Sequence, residues 1–95
     1  MFVDYGFDYS EEKNEKLKEQ RGFGFEDVID VIKSEGVLDN TINLNKSKYS
    51  NQRIYIIRIK KYAYVVPYVV DDAKKKIFLK TLYPSRKATK KYLQK

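Results

Sequence analysis

Arg53-Ile54-Tyr55-Ile56-Ile57-Arg58-Ile59 and, two residues later, Tyr62-Ala63-Tyr64-Val65-Val66-Pro67-Tyr68-Val69-Val70 decide the fold of this chain. Both runs are rich in β-branched and aromatic residues, which fit the pleated surface of a strand. Lys60-Lys61 leaves room only for a tight connection, so the two runs pair antiparallel. Pro67 has no N–H to give a ladder, which places its strand at an edge or at a bulge.

Working outward, Asp71 to Lys75 reads as a turn. Lys76-Ile77-Phe78-Leu79-Lys80-Thr81-Leu82-Tyr83 reads as the next strand, ended by Pro84. Ser85 then caps a last helix from Arg86 to about Gln94. Upstream, Asn45 to Asn51 is loop by composition, and Val37 to Leu44 alternates weakly as a fourth strand. Phe25, Val28, Ile29 and Ile32 fall at i, i+3, i+4 and i+7, so a helix from about Phe25 to Ser34 buries them as core. Ser10 with Glu11 and Glu12 starts a first, very polar helix that docks through Leu17 and stops at Gly22. The expectation is an α+β two-layer domain: two N-terminal helices, an antiparallel meander of about four strands, and a C-terminal helix.

The 95 residues suffice for one domain, residues 1–95. Neither Cys nor His occurs, which excludes disulfides, thiolate metal sites and nucleophilic triads that need an imidazole. No apolar run approaches the roughly 20 residues of a membrane-spanning helix, and Met1 to Glu12 lacks a signal-peptide pattern. A cytoplasmic protein without a membrane partner is expected.

The formal charge of +7 is distributed as a gradient. Residues 1–40 carry 11 acids and 5 bases, residues 41–72 carry 6 bases and 2 acids, and residues 73–95 carry 9 bases and no acid. Surfaces built only for solubility intersperse the signs. A polyanionic partner fits better, and nucleic acid is the commonest; an acidic peptide would satisfy the same electrostatics.

Arg86 and Lys87 sit in the first turn of the last helix, where cations oppose the helix dipole at a cost of about 0.3–1 kcal/mol each. With free backbone N–H groups they make a phosphate site, unless an acid of the first helix neutralises them. Strand parity puts Lys80 with Phe78 and Leu82, opposite Ile77, Leu79, Thr81 and Tyr83, and puts Arg58 with Ile54 and Ile56. Of the nine tyrosines, Tyr83 and Tyr92 flank or lie in the basic segment, where stacking on bases is possible. Gly22-Phe23-Gly24 lacks the spacing of a nucleotide fingerprint and is read as a helix stop. Cleavage of RNA through its 2′-hydroxyl needs a base, an acid and a cation for the phosphorane, roles that Lys, Arg and Tyr can share.

Three segments resemble a known family. Phe7-Asp8-Tyr9-Ser10-Glu11-Glu12-Lys13-Asn14 is similar to the F-x-[WY]-D-x-x-K-N start of BrnT-like toxins. Arg21-Gly22-Phe23-Gly24-Phe25-Glu26-Asp27-Val28 resembles their K-H-G-[IV]-S-F-E-E-A segment, with Arg21 where the family has His. Ser85-Arg86-Lys87-Ala88-Thr89-Lys90-Lys91 resembles their closing S-A-R-[KR]-A-T-[KR]-x-E, with Tyr92 near the place of the final acid. The resemblance implies a RelE-like fold, a toxin of a type II toxin–antitoxin system that inhibits translation as a ribonuclease, and a cognate antitoxin.

The combined expectation is a metal-independent endoribonuclease needing no cofactor. Arg86 stabilises the phosphorane, Lys80 is the candidate base, and Arg21 and Tyr83 support them. Lys87, Lys90, Lys91, Arg58, Arg53 and Tyr92 contact RNA. The partners expected are RNA, including ribosome-bound mRNA, and the antitoxin, through which the chain could oligomerise. The alternative is a non-catalytic RNA-binding or antitoxin-binding module of the same fold.

Overall fold

Ser10 caps the first helix as its position suggests, its Oγ accepting the Lys13 backbone N–H at 3.2 Å. The computed structural model describes residues 5–34, 36–42 and 52–93. Helix α1 (Glu11–Arg21) ends at Gly22, whose φ of 81° is the left-handed cap conformation that glycine adopts at least cost. Helix α2 (Phe25–Lys33) follows after three residues, Gly22 to Gly24. Phe25 and Val28 are fully buried, while Ile29 and Ile32 pack half-buried around them.

The two helices are joined through Asn14, one of the few buried polar side chains. Its Oδ1 accepts the Phe25 backbone N–H at 2.7 Å and its Nδ2 donates to Glu26 Oε1 at 3.1 Å. Asn14 thereby satisfies one of the orphan donors at the start of α2. The approach is so close that a Cβ on Gly24 would lie 2.2 Å from Asn14 Oδ1.

The strands are β1 (Gly6–Tyr9), β2 (Val37–Ile42), β3 (Gln52–Ile59), β4 (Tyr62–Asp71), β5 (Lys76–Leu79) and β6 (Tyr83–Pro84), followed by α3 (Arg86–Leu93). They form one sheet in the order β1-β5-β4-β3-β2, with β6 also beside β4. Strands β2 to β5 make the expected meander. The expected sheet of four antiparallel strands is nevertheless too small: β1 adds a parallel pairing to β5, and the sheet is mixed. Gly6 to Tyr9 is too short to announce itself by periodicity. The expected strand residues Asn43 and Leu44, the loop Asn45 to Asn51 and the helix end at Gln94 lie outside the described residues.

Pro67 sits in a central strand rather than at an edge, and the interruption it requires lies opposite it. Tyr68 pairs with Leu79, but Val65 pairs with Tyr83, so the β5–β6 side carries one extra residue. This bulge faces Pro67, whose carbonyl accepts the Lys80 N–H at 2.8 Å and whose missing N–H falls where the ladder breaks. The expected continuous strand from Lys76 to Tyr83 is therefore two strands.

One sheet face carries Tyr55, Ile57, Val66, Tyr68, Ile77 and Leu79 and is covered by α1 and α2, which supply Leu17, Phe25 and Val28. The other carries Ile54, Ile56, Ala63 and Val65 and is covered in part by α3. Ala88 and Thr89 are the buried side of α3, and the Thr89 hydroxyl accepts the Ala63 N–H at 2.9 Å while donating to Ser85 O at 2.7 Å. A tie from the Ser85 N–H to Ala63 O at 3.0 Å completes the attachment.

Candidate nucleic-acid interface

Helix α3 crosses its sheet face without covering it. Between its Lys87–Lys91 flank and the sheet lies a groove of about 330 Å³. Ile54, Ile56 and Val65 form the floor, Ala88 and Tyr92 one wall, and Asp39, Thr41, Tyr83 and Ser85 the remainder. Lys87 and Lys91 stand one helical turn apart on this flank, and both are exposed. Tyr83 is 44% exposed, more than any other large apolar or aromatic side chain among the described residues.

Both Asp39 and Tyr83 reach the groove because of bulges. Val37 pairs with Ile57 but Asp39 pairs with Ile56, so the extra residue at Leu38 turns Asp39 from the α1–α2 side to the α3 side. The bulge after Leu79 does the same for Tyr83, which shares a face with Val65 and Phe78 rather than with Leu79. Leu82 turns into the core instead, at 2% exposure. The parity expected for Leu82 and Tyr83 is thus reversed, because alternation holds only while the register does.

Ser85 caps α3, with its Oγ accepting the Ala88 N–H at 3.0 Å. Arg86 is exposed at the first position of the helix, and no acid occupies the first turn. The ion pairs among the described residues join Lys18 to Glu15 and to Glu26, so no acid of α1 neutralises Arg86 or Lys87. The Asp39 carboxyl lies below its usual range because Tyr92 Oη and the Asn40 N–H donate to it, with a smaller contribution from the Lys91 charge. The Tyr92 hydroxyl is raised by the same hydrogen bond. Lys91 Nζ lies 5.3 Å from the centre of the Tyr92 ring.

The groove brings together Tyr83, Lys87, Lys91 and Tyr92, with Arg86 at the adjoining helix start. Lys80 is exposed at the end of β5, with its Nζ 5.7 Å from the Phe78 ring centre. Lys90 is exposed one turn beyond Arg86, on the flank away from the groove. Arg58 points to the α3 side but folds back along the hairpin, its Nε donating to Lys60 O at 2.9 Å. Arg53 lies on the opposite face, where its charge acts on the Tyr55 and Tyr68 hydroxyls. Arg21 is also separate. It lines a recess with Phe23, Asp27, Asp30, Ile59 and Lys60 on the α1–α2 side. Among the described residues no three acidic side chains gather closely enough to hold a metal ion, and no helix is long and apolar enough to cross a membrane.

Asp39, Thr41, Ile54 and Ile56 are groove residues that sequence reasoning did not single out. The only signal for them was position on a strand, and a bulge had overwritten it for Asp39. Compared with protein-family models, curated proteins and solved structures, the chain matches none.

Proposed function

We propose that the chain binds single-stranded RNA along α3 and its groove and cleaves it without a metal ion, as a BrnT-like ribonuclease toxin of RelE-like type. In this reading it acts in the cytoplasm on RNA, including ribosome-bound mRNA, and a cognate antitoxin neutralises it. The observation that carries the reading is the cation row of α3, with no acid in the helix's first turn, beside an apolar groove with an exposed Tyr83. Lysines set for phosphate next to an aromatic ring suit a single strand, whose bases are free to stack. The motif residues also support it: Asn14 and Gly24 meet at the start of α2, and Ser85 and Thr89 fix α3.

In the chemistry proposed, the 2′-hydroxyl attacks the adjacent phosphorus and gives its proton to Lys80 as base, while the bond from phosphorus to the 5′-oxygen breaks and that oxygen takes a proton from solvent water, leaving a 2′,3′-cyclic phosphate. Arg86 holds the equatorial oxygens of the phosphorane. Tyr83 stacks on a base beside the scissile bond. Arg21, on the other side of the sheet, has no part in this step.

Incubation of a labelled single-stranded RNA with the protein in excess EDTA tests the reading. Products ending in a cyclic phosphate or 3′-phosphate are expected, and RNA carrying 2′-methoxy groups should survive. Intact RNA in every condition would overturn the enzymatic part. A non-catalytic RNA-binding or antitoxin-binding module is the second reading, favoured by the separation of Arg21 and Arg53 from the groove.

A further inference from the structure

The groove offers three chemistries side by side. Ile54, Ile56 and the Tyr83 ring are apolar surfaces, Lys87 and Lys91 are cations at the rim, and Asp39 is an acceptor on the wall. Asp39 Oδ1 takes the Asn40 N–H at 2.8 Å and Oδ2 takes the Tyr92 hydroxyl at 2.5 Å. A carboxylate has about four lone-pair positions, so roughly half remain open for a ligand.

We propose that this groove is a guanine-selective subsite for one nucleotide of RNA, with the Asp39 carboxylate accepting the base's N1–H and 2-amino hydrogens. The proposal rests on the RNA-binding reading above and goes beyond it by naming the base.

Volume limits the occupant. About 330 Å³ is at the lower end of the roughly 300–1,000 Å³ typical of small-molecule sites, suited to one base with part of its sugar. Hydrogen bonding then selects among the bases. Guanine presents two parallel N–H donors on its Watson–Crick edge, the pattern a carboxylate accepts in bidentate fashion. Adenine and cytosine place a ring-nitrogen acceptor beside their amino group, and uracil flanks its one N–H with two carbonyls. Each would set a lone pair against the carboxylate.

The same carboxylate argues against a protein occupant. An acidic segment drawn by Lys87 and Lys91 would meet Asp39 as a like charge, and a basic segment would meet the two lysines. A nucleotide satisfies all three, with its phosphates on the lysines, its ring on the apolar floor and its donors on Asp39.

The test uses fluorescence anisotropy with 2′-methoxy uridine decamers, which resist cleavage, carrying one central guanosine, inosine, adenosine or cytidine. Inosine lacks only the 2-amino group. The full chain should bind the guanosine oligomer about tenfold more tightly than the inosine one. Asp39→Asn should bring that ratio near one while leaving the dependence on salt unchanged. The guanosine–inosine comparison needs no variant, so it decides the matter even if Asp39→Asn fails to fold. Equal affinity for guanosine and inosine, with steep salt dependence retained, would overturn the subsite and leave the RNA-binding reading standing. Failure of every oligomer to bind, with a short acidic peptide binding instead, would overturn both in favour of a protein occupant.

Discussion

Tyr92 on α3 donates its hydroxyl hydrogen to Asp39 Oδ2 on β2 at 2.5 Å, fastening the C-terminal helix across to the edge strand of the sheet. The bond holds the Asp39 carboxyl below its ordinary range. A depressed carboxyl contributes stability above the unfolded value of about 3.9, and that stability is lost as pH falls through the folded value. Tyr92→Phe should therefore lower Tm at neutral pH, and the gap to wild type should narrow as pH falls below the unfolded carboxyl value of about 3.9. A gap that is constant with pH would mean that Tyr92 acts by packing alone.

Asn14 predicts a second effect. Asn14→Ala would strip the acceptor from the buried Phe25 N–H, which costs about 1–3 kcal/mol, or several degrees in Tm. Gly24→Ala should cost at least as much, because its Cβ would collide with Asn14 Oδ1. Thermal melts of both variants check this, and an unchanged Tm in either would show the joint to be dispensable.

Tyr55 and Tyr68 stack with ring centres 4.2 Å apart, and burial raises both hydroxyls, Tyr55 to about 12. A raised group contributes stability in full below its unfolded value of about 10 and loses it as pH rises through the folded one. Phenolate absorbance should show a late titration step near pH 12 that Tyr55→Phe removes. Completion of all tyrosine titration before about pH 11 in the folded protein would contradict the placement of this pair.

Substitution of Arg86 would separate the proposed cleavage from RNA binding. If it stabilises charge that grows in the transition state, Arg86→Ala should lower the cleavage rate about a hundredfold with little change in RNA affinity. Its Tm should stay level or rise, since a cation at the start of a helix opposes the dipole. An earlier melt would mark Arg86 as structural.

The elements of this fold were legible wherever local signals were strong. Ser10 and Gly22 bounded α1, Ser85 capped α3, and the Arg53–Val70 runs announced a hairpin. The basic character of α3 was plain from composition. The far half of the groove was hidden because β2 and the β5–β6 line each carry one extra residue. Those bulges moved Asp39 and Tyr83 to the α3 side, against simple alternation. Arg21, expected to support catalysis, and Arg53, expected to contact RNA, lie on the α1–α2 side away from the groove, because a basic residue in sequence carries no record of its sheet face until the register is known.

The most direct test of the central claim, that α3 and its groove are the RNA-binding face, is the salt dependence of single-stranded RNA affinity in wild type and in Lys87→Gln/Lys91→Gln. Each phosphate contact on a single strand contributes about 0.7 to the slope of log affinity against log salt, so removing two should reduce that slope by about 1.4. Affinity should fall for all sequences alike. A double variant with the slope and affinity of wild type would place the RNA elsewhere on the protein and contradict the account.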